Sequence, residues 1–308
     1  MRIVFMGTPQ YSVPTLKALL DAGHSINAVF SQPDKPVGRK QILTPTPTKV
    51  FAIEHNIPVF QPATLRDGTA LDILKDINPD LIVVVAYGKI LPKEILNLPR
   101  YGSINGHASL LPELRGASPV QWALVSGKKQ TGVTVMQMDE GMDTGDILNV
   151  KKVDILPEDN SETLFSKLSL ITAELLAGTV DKIAVGDIKP IKQDDAKATY
   201  APIINREMAH LDFSKPACLL CDAVRGFYSW PVAFCYIGGK RIKVFEAIEA
   251  DCKETESGKI INNDGKLVIS CGENTAIRFL SVQPEGGRRM TAEEMLRGNK
   301  LEIGMSVN

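Results

Sequence analysis

Neither sign of charge dominates this chain: 35 lysines and arginines stand against 36 aspartates and glutamates in 308 residues, a formal net charge of -1. That balance excludes a protein that grips nucleic acid with its whole surface, which would be basic. Any RNA contact has to be a local patch. Cysteines are few and odd in number, five, and lie in the carboxy-terminal part, which argues against a disulfide framework. Cys218 and Cys221 make one C-x-x-C in ACLLCDAV, but Cys235, Cys252 and Cys271 are scattered. The second ligand pair of a structural zinc site is therefore missing, and the pair reads as small apolar residues buried on a helix. No apolar run approaches the ~20 residues a membrane helix needs. The opening MRIVFMGTP meets a turn too soon for a signal peptide, so the cytoplasm is the default location. The first turn, GTPQYS, lacks the G-x-G-x-x-G of a dinucleotide site and reads as a tight turn, which weakens any nicotinamide dehydrogenase hypothesis.

What is present suits a globular protein with a real core: 44% hydrophobic and 23% charged residues, with mean hydropathy near zero. At roughly 100–200 residues per domain, two domains are expected. RIVFM at 2–6 is a short β-branched run ending at Gly7. Ser12, Val13 and Pro14 read as the start of a helix, followed by the stripe Leu16, Leu19, Leu20. Strands are predicted at 25–30 and within DLIVVVAYG (80–88), a run apolar enough for burial on both faces. Helical stretches near 46–55 and 64–76 lie between. This alternation predicts an α/β fold, a parallel sheet covered by helices. Strands follow at 131–139 and 147–156, then a helix from Ser161, which reads as its cap. GDIKPIKQDDAKATYAPIINRE has little periodicity and reads as a linker. Beyond it come one helix (SKPACLLCDAVRGF) and about five short strands, the pattern of a small barrel such as an OB-fold.

The chemistry concentrates in two segments. SINGHASLLPELRG sets Asn105 and His107 two residues apart, so a strand over 103–107 would send both side chains to one face. At the carboxyl ends of an open α/β sheet, that face is where ligands bind. MDEGMDTGD holds Asp139, Glu140, Asp143 and Asp146 among two glycines. Its spacing does not fit a calcium loop, whereas one carboxylate there could approach His107 and ready it for proton transfer.

At these residues the chain resembles the folate-dependent formyltransferase family. INGHASLLPELRGASPVQ, TGVTVMQMDEGMDTGDIL, the opening FMGTPQYSVPTL, SQPDKPVGRK with LTPTPTK, QPATLR, RGFYSWPVAF and QPEGGRRM all match, covering nearly the whole chain. Gly106 stands where the family commonly has a β-branched residue. The resemblance implies a Rossmann-like catalytic domain over 1–188, a linker over 189–207, and an OB-fold-like tRNA-binding domain over 208–308. It implies transfer of the formyl group of 10-formyl-tetrahydrofolate, a co-substrate, to the amino group of methionyl-initiator tRNA for translation initiation. Asn105 would donate its amide to the formyl oxygen, His107 would take the amine proton, and Asp143 would pair with His107. Ser109, Leu110, Leu111 and Pro112 would line the folate site. No metal is needed, and a monomer is expected. Arg39 and Lys40 in the 31–49 loop, with Arg241, Lys243, Arg288 and Arg289 beyond the linker, are the cations read as facing tRNA phosphates. Two other readings stand beside this one: formyl transfer to a small amine such as an amino sugar nucleotide, or to water, and a non-catalytic RNA-binding protein.

Overall fold

The computed structural model describes residues 1–38, 40–252, 256–298 and 301–308. In chain order the strands are β1 (Arg2–Gly7), β2 (Ser25–Phe30), β3 (Lys35–Val37), β4 (Ile42–Thr44), β5 (Val59–Phe60), β6 (Leu81–Val85), β7 (Ser103–His107), β8 (Gln130–Gln137), β9 (Ile147–Asp154), β10 (Phe234–Ile237), β11 (Lys240–Ala250), β12 (Ile260–Asn262), β13 (Leu267–Cys271), β14 (Thr275–Pro284) and β15 (Met290–Thr291). The helices are α1 (Val13–Asp21), α2 (Pro47–Glu54), α3 (Thr69–Ile77), α4 (Lys93–Leu96), α5 (Pro119–Val125), α6 (Ser161–Ala184), α7 (Ala217–Gly226) and α8 (Ala292–Gly298). They divide into two units. One comprises Met1–Gly116, Thr131–Asp154 and Phe165–Tyr200; the other comprises Ala117–Gln130, Ile155–Leu164 and Ala201–Asn308.

The first unit is built on a seven-stranded sheet ordered β5-β2-β1-β6-β7-β8-β9. Strands β5, β2, β1, β6 and β7 run parallel, and β8 pairs antiparallel with β7. The continuous apolar run of β6 is explained by helices on both faces, with all five of its residues buried. Alternation splits the strands: Ile3, Phe5, Val83 and Val85 join Leu16 and Leu19 of α1 and Leu176 and Val180 of α6 in one core. Val4, Met6, Ile82 and Val84 join Ala70 and Leu74 of α3 and Ile95 and Leu96 of α4 in another. Each of the Val, Leu, Ile, Phe and Met side chains among them contributes about 1.5–3 kcal/mol of burial, as an upper bound.

The polar details of the elements differ from the sequence reading. The Ser12 hydroxyl donates to the Val85 carbonyl at 2.6 Å and does not cap α1. A Cβ on Gly7 would fall 2.9 Å from Ser12 Cβ, so this first turn closes on its own packing. Asn160, not Ser161, caps α6: its carboxamide accepts from the amides of Glu162 (2.9 Å) and Thr163 (3.1 Å). At 24 residues, α6 is by length and composition apolar enough to cross a membrane, contrary to the sequence reading. Its stripe Leu168, Thr172, Leu176 and Val180, at helical spacing, is buried instead. Residues 191–200, expected within a linker, are hydrogen-bonded into the first unit: Arg115 N donates to Thr199 O (2.9 Å), and Ile191 exchanges two bonds with Ile147.

The second unit carries an antiparallel sheet ordered β10-β11-β14-β13-β12, with β15 on β14. Its core joins Leu220 and Val224 of α7 to Val244, Ile269, Ile277, Phe279 and Val282. Cys218 is exposed on α7, not buried as its C-x-x-C was read, whereas Cys235 and Cys271 are buried. Among the described residues no group of three or more His, Cys, Asp or Glu is placed to hold a metal ion.

Candidate active site

Strand β7 carries the centre. Gly106 points at α6, because a Cβ there would meet Thr172 Cγ2 at 2.7 Å and Leu176 Cδ1 at 3.1 Å. By the two-residue period, Asn105 and His107 point to the opposite face. Ser103, the third residue of that set, donates its hydroxyl to Leu96 O of α4, on the same side. The Asn105 carboxamide is half-buried and makes no hydrogen bond among the described residues. The His107 imidazole is 6% exposed.

His107 Nε2 lies 3.0 Å from the Leu114 carbonyl oxygen. A carbonyl only accepts, so Nε2 carries the proton and the neutral ring presents its lone pair at Nδ1. Asp143 Oδ2 stands 3.7 Å from Nδ1, just beyond hydrogen-bond reach. The same Oδ2 accepts the Gly116 amide at 2.8 Å. The ring can therefore take a proton at Nδ1 beside a carboxylate already fixed in place. Of the four acids, Asp143 is the one turned to His107; Glu140 pairs with Lys93 Nζ at 2.7 Å and Asp139 accepts from Gly141 N and Thr144 Oγ1.

This meeting was not legible from strand order. Gln137 at the end of β8 lies opposite Ile104 at the start of β7, while Thr134 lies opposite His107. The loop after β8 leaves from the far end of β7 and folds back to deliver Asp143. Gly145 makes the fold-back possible, since a Cβ there would sit 1.7 Å from Gln137 O.

The SLLP turn is held by its own hydrogen bonds. Ser109 Oγ donates to Glu113 O at 2.6 Å and is fully buried. Thr134 Oγ1 donates to Ser109 O at 2.7 Å and accepts from Leu111 N at 3.1 Å. The side chain of Leu110 packs over Gly132, and the Leu111–Pro112 bond is cis. Leu110 and Pro112 remain half-buried and offer apolar surface. Sequence reasoning missed two further apolar groups: Ile90, after β6, and Met142, beside Asp143, are 78% and 64% exposed. Their flanking loops are joined by the Lys93–Glu140 pair. Exposed apolar side chains on loops at a sheet end are the signal that would have found them.

A profile described as formyl transferase matches residues 1–180, and one described as formyl transferase, C-terminal domain, matches residues 203–300. The chain belongs to the formyl transferase family. Within that family, the methionyl-tRNA formyltransferase of Bacillus licheniformis is 47% identical over 99% of this chain and 98% of its own. The methionyl-tRNA formyltransferase of Bacillus subtilis is 44% identical over 98% of this chain and 96% of its own. Among solved structures, an N-formyltransferase from Helicobacter canadensis, in complex with folinic acid and dTDP-3-aminofucose, superposes with a TM-score of 0.68 at 18% identity, covering 90% of this chain and 98% of that one.

The remaining predicted site residues are basic. Arg39 lies outside the described residues. Lys40 is exposed beside the ribbon formed by β3 and β4, which also exposes Val37, Ile42 and Leu43 at 57%, 62% and 65%. The root of that ribbon is tied by hydrogen bonds: Lys49 Nζ donates to Asp34 (2.6 Å) and Gln61 (2.8 Å), and Gln61 Nε2 donates to Asp34 (2.7 Å). Gln61 and Lys49 together hold the Asp34 carboxyl below its usual range. In the second unit, β10 and β11 pair Phe234 with Lys243 and Tyr236 with Arg241, so these four share one face of the hairpin. His210 stacks on Phe234 at 5.1 Å, and the Arg241 guanidinium lies 5.8 Å from the Phe234 ring. Arg288 is exposed; Arg289 is held by Glu246, Ser281 and Tyr228 and lies 4.4 Å from the Phe245 ring.

Proposed function

We propose that this protein transfers the formyl group of 10-formyl-tetrahydrofolate to the free amino group of methionyl-initiator tRNA, giving formylmethionyl-tRNA. The observation that carries the chemistry is the convergence of His107 Nδ1 and the Asp143 carboxylate, 3.7 Å apart, on the strand that also presents the unpartnered Asn105 amide. Full-length likeness to methionyl-tRNA formyltransferases supports the acceptor.

In this reading the amine nitrogen bonds to the formyl carbon and the carbonyl oxygen takes up negative charge. Asn105 donates to that oxygen, a contact made stronger in the transition state than in the ground state. His107 Nδ1 takes the proton the amine sheds, and Asp143 stabilises the resulting imidazolium. Collapse of the tetrahedral carbon breaks its bond to N10 of the folate, which receives the proton. Leu110 and Pro112, with Ile90 and Met142, supply apolar surface for a flat pterin, while the SLLP main chain reads its edge. The buried Ser109 hydroxyl supports the turn rather than the ligand.

For the tRNA, the hairpin face bearing Phe234, Tyr236, Arg241 and Lys243 combines rings for bases with cations for phosphates. The β3–β4 ribbon presents Lys40 with exposed apolar side chains. The antiparallel unit is read as an OB-like barrel, the protein as a cytoplasmic monomer. Incubation with 10-formyl-tetrahydrofolate and charged initiator tRNA should yield formylmethionine. Turnover with an amino sugar nucleotide but none with the tRNA would overturn the acceptor while keeping the chemistry.

A further inference from the structure

Arg115 is a buried arginine, 2% exposed, one residue before the Gly116 amide that holds Asp143. Its Nε and Nη2 both donate to Gln193 Oε1, at 3.2 and 2.8 Å, and Nη2 also reaches Asp195 Oδ1 at 2.7 Å. Two donors on one oxygen fix which way the Gln193 carboxamide faces. Its Nε2 is thereby turned to the other side, where it donates to the main-chain carbonyls of Asp143 (2.8 Å) and Gly145 (2.7 Å). Asp143 sits at φ +55°, in the left-handed region a side-chain-bearing residue seldom occupies unaided. Its carboxylate is held by Gly116 and its main chain by Gln193, and both holds trace to Arg115 and its neighbour. The same segment holds the histidine: Thr199 Oγ1 accepts from Leu114 N at 2.9 Å, and the Leu114 carbonyl accepts from His107 Nε2.

We infer that Gln193 is a positioning residue that acts through Asp143, aimed by the buried guanidinium of Arg115. The inference rests on the reading of His107 and Asp143 as the proton-handling pair. Gln193 touches neither the imidazole nor the reacting atoms; it sets the backbone from which the carboxylate projects. A neutral carboxamide is required because the residue must accept from Arg115 and donate to two carbonyls at once. Gln193→Glu keeps the shape and the acceptor but loses both donations and turns a carboxylate toward two carbonyl oxygens. Gln193→Leu removes both ends of the relay.

The test is steady-state formylation of methionyl-tRNA by the full chain, with Asp143→Asn, Gln193→Glu, Gln193→Leu and the double variant Asp143→Asn with Gln193→Leu. Each is first checked for a wild-type far-ultraviolet spectrum and a cooperative melt. Misplacement of a reacting group by about 1 Å costs on the order of 100-fold. Either Gln193 variant is therefore expected to lose about 10–100-fold in kcat, with both KM values nearly unchanged and a pH–rate profile resembling that of Asp143→Asn. The double variant should be no slower than Asp143→Asn alone, because Gln193 then has nothing left to position. Additive losses in the double variant, or folded Gln193 variants with wild-type kcat beside an impaired Asp143→Asn, would overturn the inference. Should Asp143→Asn itself turn over normally, the underlying reading of the active site fails instead.

Discussion

Gly106 of β7 faces Thr172 of α6 so closely that a Cβ would stand 2.7 Å from the threonine methyl. The space a side chain would need there is taken by Thr172 and Leu176 of the helix. Thr172 is itself fixed, its hydroxyl bonding Leu168 O and the Tyr11 hydroxyl, each at 2.8 Å. Gly106→Val should overpack this contact and destabilise the fold by about 1–3 kcal/mol. Pairing it with Thr172→Ala should restore part of the loss, and denaturant melts of the four-member cycle measure the coupling. Strictly additive effects would mean that the strand, not α6, absorbs the new side chain.

The proposed roles of His107 and Asn105 separate in kinetics. His107→Ala should lower kcat by about 10²–10⁴-fold while leaving folate affinity nearly intact. Asn105→Ala should cost about 10²–10³-fold in kcat, the usual loss of one oxyanion donor. A rate within about threefold of wild type for either would remove that residue from the reacting centre.

Arg241 and Arg289 carry the same charge in different surroundings, and tRNA binding should tell them apart. Among the described residues Arg241 has only the Phe234 ring beneath it, so Arg241→Ala should weaken binding and reduce the salt slope by about one. Arg289 is paired with Glu246 and packed on Tyr228 and Phe245. Its substitution should appear mainly as a lower melting temperature, with the salt slope retained. Fluorescence titrations at several salt concentrations provide the check.

Alkaline stability reports on two phenols, Tyr87 buried and Tyr11 partly buried. Burial pushes Tyr87 up to about 12, and burial pushes Tyr11 up to about 12 against the opposing effect of its Thr172 hydrogen bond. An unfolded tyrosine titrates near pH 10. Between those values the unfolded chain has lost protons that the folded chain keeps, so stability is full below pH ~10 and falls as pH rises toward ~12. Tyr87→Phe should make that fall shallower in urea midpoints measured across the window. An unchanged slope would show that the Tyr87 phenol titrates in the fold as it does in the unfolded chain.

The sequence by itself determined what local pattern controls. The all-buried β6 run, the helix–strand alternation and the shared face of Asn105 and His107 follow from side-chain period and hydrophobicity, which act over a few residues. The family motifs marked Asp143 among four neighbouring acids. Tertiary structure alone decided how that acid reaches the histidine. Because β8 runs antiparallel to β7, its loop starts at the wrong end of the strand and returns only through Gly145 and the grip of Gln193. Residues 191–200 look like a linker because the bonds that fix Gln193 and Thr199 go to partners 48, 50 and 85 positions away. No periodicity within a segment can record bonds made to distant ones, and for that reason Arg115, Gln193 and Thr199 emerge only once the chain is folded.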